Sequence, residues 1–340
     1  MIKKKNIFTV AIILFLFVLL SITLIVINSK DKNMQNVSVK LKWYHQAQFS
    51  GIYNGLEKGF YEKRGLNLTI YEYNEDDIAE SISNGTYDFG IVGADELIVA
   101  RSKGLKVKAI AVIYKTNPSC AYTLNKDIKN PQYFKNKTIG IMKGTNIENS
   151  FYLMIDNIGI NRSEIKEVYI NSDTEWLENN SIDVFTGYNI NEPNILIEKG
   201  YYVKKFLFSD YGIDIYGDVI ITSDENIINR PDVVFSFVSG TIDGWNYAYT
   251  NKEETLKILK KYVPIEIYDF NHQKLMLEEA IPLIFYHDTP AGIMNLDKWE
   301  HTQELLIKSD IIKEKVDDYF TNEFIEKYYE TKTYETPYTK

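Results

Sequence analysis

Between Trp43 and Tyr53 the chain gathers Trp43, Tyr44, His45, Gln46, Gln48 and Tyr53. Aromatic faces can stack on a flat ring, and Gln46 and Gln48 each offer a donor and an acceptor. That pairing suits a ring nitrogen beside an exocyclic amine. Trp43 fits a core position equally well, and His45 a solvated loop. Glu96 follows a short apolar run at a helix start, where the dipole favours a carboxylate. There it can stabilise the helix or accept from a ligand amine, and Asp95 beside it reads as the N-cap. Gly144-Thr145-Asn146 precede another helix, whose free N–H groups suit an anion. Tyr188, Asn191 and Glu192 form a further polar group, although Asn191-Glu192-Pro193 also fits a plain helix start with proline in the first turn. Asp214, Tyr216 and Asp218 follow and could shape a hinge or a cleft floor. Trp245, Tyr247 and Tyr249 have helical spacing and read as packing. His272, His287 and His301 are not spaced as metal ligands. Cys120 is the only cysteine, so neither an intramolecular disulfide nor a thiolate zinc site can form, and it reads as a small buried hydrophobe. No metal and no cofactor is called for.

The elements that must position these residues alternate. Val39–Trp43, Leu66–Tyr71, Phe89–Val92 and Val107–Tyr114 read as strands, separated by helices at Tyr53–Arg64, Asp76–Ser83 and Asp95–Lys103. After Pro131 the rhythm restarts, with strands at Thr138–Met142, Ile165–Ile170, Ile182–Thr186 and Tyr201–Phe208 and helices at Asn146–Asn157 and Asn191–Lys199. From Pro231 the pattern is helical: Asp232–Thr250, Lys252–Tyr262, Gln273–Phe285 and Leu296–Ser309. This predicts an α/β protein of two mainly parallel sheets with flanking helices, arranged as two lobes with a ligand cleft between them.

Composition narrows the function classes. The 340 residues are 45% hydrophobic and 25% charged, which is ordinary globular composition. The formal charge is −9, and the first 30 residues hold four lysines and no acid, so the remainder is more acidic still. Such a surface repels a phosphate backbone, which argues against nucleic acid as partner. Lys3, Lys4 and Lys5 precede an apolar run from Ile7 to Ile27. A helix of that length spans about 30 Å, the hydrocarbon thickness of a bilayer, and the lysines favour a cytoplasmic start. The run is long for a cleaved leader and has no A-x-A site after it. The expectation is a single N-terminal membrane helix in residues 1–30, with everything after it on the extracytoplasmic face.

The stretch Leu41-Lys42-Trp43-Tyr44-His45-Gln46-Ala47-Gln48-Phe49-Ser50-Gly51-Ile52-Tyr53 resembles a known family, as does Glu57-Lys58-Gly59-Phe60-Tyr61-Glu62-Lys63-Arg64-Gly65-Leu66. Further matches follow in order: Asp88-Phe89-Gly90, Ala100-Arg101-Ser102-Lys103-Gly104, Asn191-Glu192-Pro193, Asp210 to Asp218, and Gly244-Trp245-Asn246-Tyr247-Ala248. Together they span about 80% of the chain. The family is that of extracytoplasmic solute-binding proteins for thiamine-pyrimidine precursors and alkanesulfonates, which shares its fold with thiamine pyrimidine synthase. The resemblance implies a hinged periplasmic-binding-protein fold, with a stalk at 31–38, a first lobe at 39–123 plus 219–330, a second at 124–218 and a tail at 331–340. It implies a small organic ligand, most simply a pyrimidine or related heterocycle. The partners it implies are an ABC permease with its ATPase subunits, or a receptor kinase if the protein is a sensor. The ligand-binding set expected on this reading is Trp43, His45, Gln46, Gln48, Tyr53, Glu96, Tyr188, Asn191, Glu192, Asp214 and Tyr216.

The synthase branch is the rival reading. Its chemistry needs a lysine for an imine, a histidine four residues later and a cysteine-rich iron-binding run. Alignment on the Asp-x-Gly before the helix puts valine (Val92) at the lysine position and glutamate (Glu96) at the histidine position. Gly212-Ile213-Asp214-Ile215-Tyr216 stands where the cysteines would be. Valine cannot form an imine, and glutamate cannot donate an imidazole. The chain is therefore expected to bind its ligand without transforming it.

Overall fold

Alternation of inward apolar and outward polar residues opens the chain as β1 (Gln35–Lys40), where Val37 and Val39 are buried. The computed structural model describes residues 34–74, 76–266, 268–285 and 289–332. The apolar run Ile7–Ile27 lies outside them, and among the described residues no helix is long and apolar enough to cross a membrane. Residues 35–38, expected in a stalk, are strand instead. Val37 supplies one of the inward positions, and β1 pairs along its whole length with β2 (Leu66–Tyr71).

Helix α1 (Ser50–Glu57) follows a short 3-10 turn, Ala47–Phe49. Then come α2 (Ile78–Ser83), β3 (Phe89–Val92), α3 (Ala94–Ser102) and β4 (Val107–Tyr114). The second run is β5 (Ser119–Thr123), β6 (Thr138–Ile141), α4 (Asn146–Asn157), β7 (Lys166–Tyr169), α5 (Glu175–Glu178), β8 (Val184–Tyr188), α6 (Glu192–Glu198) and β9 (Lys204–Leu207). The chain returns through β10 (Asp218–Ser223) and α7 (Asp224–Asn229). It ends in helices α8 (Pro231–Thr250), α9 (Lys252–Leu259), α10 (Phe270–Phe285), α11 (Leu296–Lys308) and α12 (Glu323–Thr331).

Two five-stranded sheets result, ordered β2-β1-β3-β10-β4 and β7-β6-β8-β5-β9. In each, one strand runs against the other four: β10 is antiparallel to β3 and β4, and β5 to β8 and β9. These two reversed strands follow the two crossings between the sheets. The first crossing, after β4, is complete before Ser119, so Ser119–Thr123 belongs to the second sheet and not to the first lobe as the sequence suggested. The segment is buried throughout and carries no alternation to announce its partner. The crossings run side by side: the Asn117 N–H donates to the Ile215 carbonyl at 2.9 Å and the Gly217 N–H to the Tyr114 carbonyl at 2.9 Å. A Cβ at Gly217 would stand 2.9 Å from Pro118 Cδ, so glycine permits this approach.

The C-terminal helices return to the first sheet. Helix α8 crosses α1 at a seam of Gly51, Gly55, Gly240 and Gly244, with Trp245 fully buried against Gly51. Tyr319, just before α12, accepts the Ala109 N–H from β4 through its carbonyl.

Candidate functional site

A cavity of about 370 Å³ lies between the carboxyl ends of the two sheets, within the range of small-molecule sites. The first half supplies Lys42, Trp43, Gln46 and Gln48 after β1, Tyr73 and Asp76 after β2, and Val92 and Glu96 around the β3–α3 turn. The second half supplies Gly144 to Ile147 and Asn149 at the head of α4, and Tyr188, Asn191 and Glu192 between β8 and α6. Seven of the eleven expected residues therefore line it: Trp43, Gln46, Gln48, Glu96, Tyr188, Asn191 and Glu192.

Four do not. Tyr53 is buried in α1, stacked on Tyr262 with ring centroids 4.3 Å apart, and its hydroxyl meets His45 Nδ1 at 2.9 Å. His45 is drawn away from the cavity by that contact and by Glu72, which accepts its backbone N–H. Burial lowers the His45 imidazole below its ordinary range. Asp214 pairs with Lys298 at 2.6 Å on the exposed side of the crossing. Tyr216 is buried edge-on against Trp299 and accepts the Asn295 N–H at 2.7 Å. These last two brace the return crossing against α11.

The cavity floor is a continuous polar row. Gln46 Nε2 donates to Gln48 Oε1 at 2.6 Å, and Gln48 Nε2 to Asp218 Oδ2 at 2.8 Å. Asp218 Oδ1 lies 3.1 Å from Lys42 Nζ, with both side chains over nine-tenths buried. Lys42 also donates to the Tyr188 hydroxyl at 2.8 Å and the Gly217 carbonyl at 3.0 Å, while Asn146 Nδ2 donates to the same hydroxyl at 2.9 Å. Burial alone would depress the Lys42 ammonium, but Asp218, Tyr188 and Glu96 outweigh it and hold the lysine charged. Lys42, Asp218 and Asn146 were not in the expected binding set. The available signal was an acid opening the apolar strand Asp218–Ser223, which must find a buried cation.

At two of the helix starts beside the cavity, a first-turn glutamate accepts a backbone N–H from the N-cap residue or the one before it. Gly93, not Asp95, is the N-cap of α3, and its N–H donates to Glu96 Oε2 at 2.6 Å. Glu96 thus both caps its helix and lines the cavity. At α4 the Gly144 N–H donates to Glu148 Oε2 at 2.7 Å, which removes a donor that an anion would need. Asp95 is instead buried behind the wall, where burial and then Glu96 raise its carboxyl to about 7. Glu192 is buried as well. Burial lifts it to about 7 against the opposing donors, the Tyr188 N–H at 2.9 Å and Asn191 Nδ2 at 2.9 Å. Above this floor Trp43 and Tyr73 hold ring centroids 5.5 Å apart, with Tyr44 edge-on to both. The site can stack a flat ring and accept hydrogen bonds from amines, and four carboxylates line it against two lysines, Lys42 and Lys103.

The chain is 23% identical over 308 residues to the riboflavin-binding protein RibY of Chloroflexus aurantiacus, covering 86% of each chain. It is 21% identical over 297 residues to the formylaminopyrimidine-binding protein of Halalkalibacterium halodurans, covering 85% of this chain and 89% of that one. A 4-amino-5-hydroxymethyl-2-methylpyrimidine phosphate synthase of Legionella pneumophila is 24% identical over 303 residues, covering 85% and 92%. The crystal structure of the periplasmic aliphatic sulphonate binding protein SsuA from Escherichia coli superposes with a TM-score of 0.65 at 14% identity, over 83% of this chain and 95% of that one. This places the two-sheet architecture among periplasmic-binding-protein folds. The NMT1/THI5-like family model matches residues 46–255, from the cleft loop into α9, and the chain belongs to that family.

Proposed function

We propose that this protein is an extracytoplasmic solute-binding protein whose cleft takes a flat, uncharged or cationic heterocycle of the pyrimidine or flavin type. It would deliver that ligand unchanged to an ABC permease with its ATPase subunits. The observation that carries the reading is the wall chemistry: an aromatic pair, a row of amides, and acceptor carboxylates at Glu96 and Glu192. The named ligands of RibY and of the Halalkalibacterium protein are flat heterocycles of this kind. An alkanesulfonate, by contrast, would meet Glu96, Glu192, Asp76 and Asp77, and of the two lysines that line the cavity Lys42 is already neutralised by Asp218, which leaves the exposed Lys103 as the cation an anion could reach. The same ion pair argues against imine chemistry, because a lysine held charged is no nucleophile. The run Ile7–Ile27 would tether the binding domain to the outer face of the membrane.

Thermal unfolding of the purified protein with riboflavin, formylaminopyrimidine and an alkanesulfonate tests the reading. A ligand at a hundred times its Kd adds about 2.7 kcal/mol to the native state. A heterocycle should raise the midpoint, Trp43→Ala should abolish the rise, and the sulfonate should do nothing. Stabilisation by the sulfonate alone would overturn the proposed ligand class.

A further inference from the structure

The cavity is longer than its polar floor. Beyond Glu96 it follows helix α3, whose Glu96, Val99, Ala100 and Lys103 all line it. Their spacing puts them on one face of the helix. The rise from Glu96 to Lys103 carries the cavity about 10 Å along α3. Facing this stripe are Ile78 and Ala79 in the first turn of α2, with Val92 at the end of β3 and Leu105 just past α3.

Local sequence accounts for the shape. Gly90 and Val92 stand two apart on β3 and so face the same side of the sheet. A Cβ at Gly90 would lie 2.6 Å from Ile78 Cγ2, so glycine there lets α2 settle onto that side, beside Val92. The Leu105 N–H donates to the Ala100 carbonyl at 3.1 Å, which folds Leu105 back over the last turn of α3. The next N–H, of Lys106, donates to Ser83 Oγ at 3.0 Å and ties that turn to the end of α2. Six apolar side chains (Ile78, Ala79, Val92, Val99, Ala100 and Leu105) thus line the same cavity as the amide row. A single apolar residue at a surface is ordinary. Here four of the six are buried, Val99 and Leu105 are half-buried, and all border one space. An apolar recess gives water few partners and favours an apolar occupant. Its residues all belong to the first half, so it keeps its form whether the cleft is open or closed.

We propose that this recess between α2 and α3 is a second subsite, which takes an apolar extension of the solute. The solute is then a polar heteroaromatic ring continued by hydrocarbon, as a fused carbocycle or an alkyl chain, and a bare pyrimidine leaves the recess empty. The subsite rests on the reading of the cleft as the solute site and sharpens it. Gln46, Gln48 and Glu96 select the head of the solute, and Ile78, Val99 and Leu105 select its tail. Lys103 is exposed at the outer rim, where its stem can lie along the apolar wall with the ammonium in water.

Calorimetric titration of the full chain with 4-aminopyrimidine and its 5-alkyl homologues, from methyl to hexyl, tests the subsite, with 4-aminoquinazoline as the fused-ring arm. Each methylene that enters the recess should tighten binding about fourfold, the equivalent of about 0.8 kcal/mol, until the recess is full. A gain along the alkyl series assigns the tail as a chain, and a gain from the quinazoline alone assigns it as a fused ring. Val99→Trp fills the recess and should make all these probes bind alike. Val99→Asp should do the same without added bulk, and it serves if the tryptophan variant does not fold. Binding by the wild type that ignores both chain length and ring fusion would overturn the subsite, as would a gain that persists in a folded variant. The first of these results would leave the solute reading standing. The neutral dye N-phenyl-1-naphthylamine gives the converse separation, because it carries no pyrimidine. Its fluorescence should rise with the wild type and not with the variants. If no heterocycle binds but the dye reports a site that depends on Val99, the recess stands and the assignment of the head falls. If neither binds, both fall.

Discussion

Asp95 shows how a single buried group writes itself into the behaviour of the fold. It has no exposure, its Oδ2 accepts from Asn149 of α4 at 3.2 Å, and its Oδ1 meets no donor. Burial, with Glu96 adding to it, raises the carboxyl from 3.8 to about 7. The folded protein therefore keeps a proton that the unfolded chain gives up near pH 4. Its stabilising contribution is complete below that point and is lost as pH rises through about 7. Asp95→Asn never ionises and keeps an acceptor for Asn149. Urea unfolding across pH should show the variant gaining on the wild type from pH 4 upward and exceeding it by about 2–4 kcal/mol at pH 8. Parallel pH curves for the two proteins would mean that the carboxyl is not perturbed. At this scale the sequence was partly legible. The aromatic and amide loop announces itself by residue type, and so do Tyr188, Asn191 and Glu192. Lys42 does not, because a lysine at a strand end reads as solvated until β10 brings Asp218 beside it. His45 and Tyr53 looked equivalent to their neighbours, yet the 3-10 turn at Ala47–Phe49 carries Tyr53 into the core and His45 follows it.

Between elements, the seam of α1 and α8 is the closest contact in the scaffold that carries the cleft loop. A Cβ on Gly244 would lie 1.9 Å from the Gly51 carbonyl oxygen and 2.8 Å from the Gly55 nitrogen, both backbone atoms with no freedom to turn aside. Gly244→Ala must therefore separate the helices. It should cost about 3 kcal/mol, measured as a lower urea midpoint at unchanged slope, as expected for overpacking. A loss below about 0.5 kcal/mol would mean that the helices are free to slide. Most of these elements were visible in the sequence because their patterns are strong: the glycine stop at Gly104, Pro231 opening α8, and a helical period through the last third. Gly65, read as the stop of a helix over Tyr53–Arg64, instead closes a 3-10 turn after α1 has already ended at Glu57. The strand β5 was not visible, since five buried residues in a row have no period. The reversed course of β5 and β10 was equally hidden. Strand direction depends on where each crossing enters its sheet, and local sequence carries no record of that.

For the molecule as a whole, the question is what joins two halves that are each complete sheets. Apart from the paired crossings, polar contacts across the cleft are prominent: Lys42 to Tyr188, Asn149 to Asp95, His272 to Asn191 and Glu279 to Asn194. Polar contacts between halves, with water as their alternative partner, contribute individually about 0.5–1.5 kcal/mol, which is small beside the core of either half. Closure can therefore be adjusted without unfolding either sheet, which is what a protein that must both grip and release a solute requires. Tyr188 separates the two quantities most cleanly, because its hydroxyl accepts from Lys42 in one half and from Asn146 in the other. Tyr188→Phe leaves Lys42 its Asp218 partner and keeps the buried ring. It should lower stability by only about 1 kcal/mol in urea. If closure is set by these contacts, the radius of gyration of the variant in small-angle scattering should rise, and affinity for the heterocycle should drop about tenfold, the equivalent of about 1.4 kcal/mol. Equal losses of stability and affinity with an unchanged radius would place Tyr188 in the framework of the second half and take it out of the closing contact.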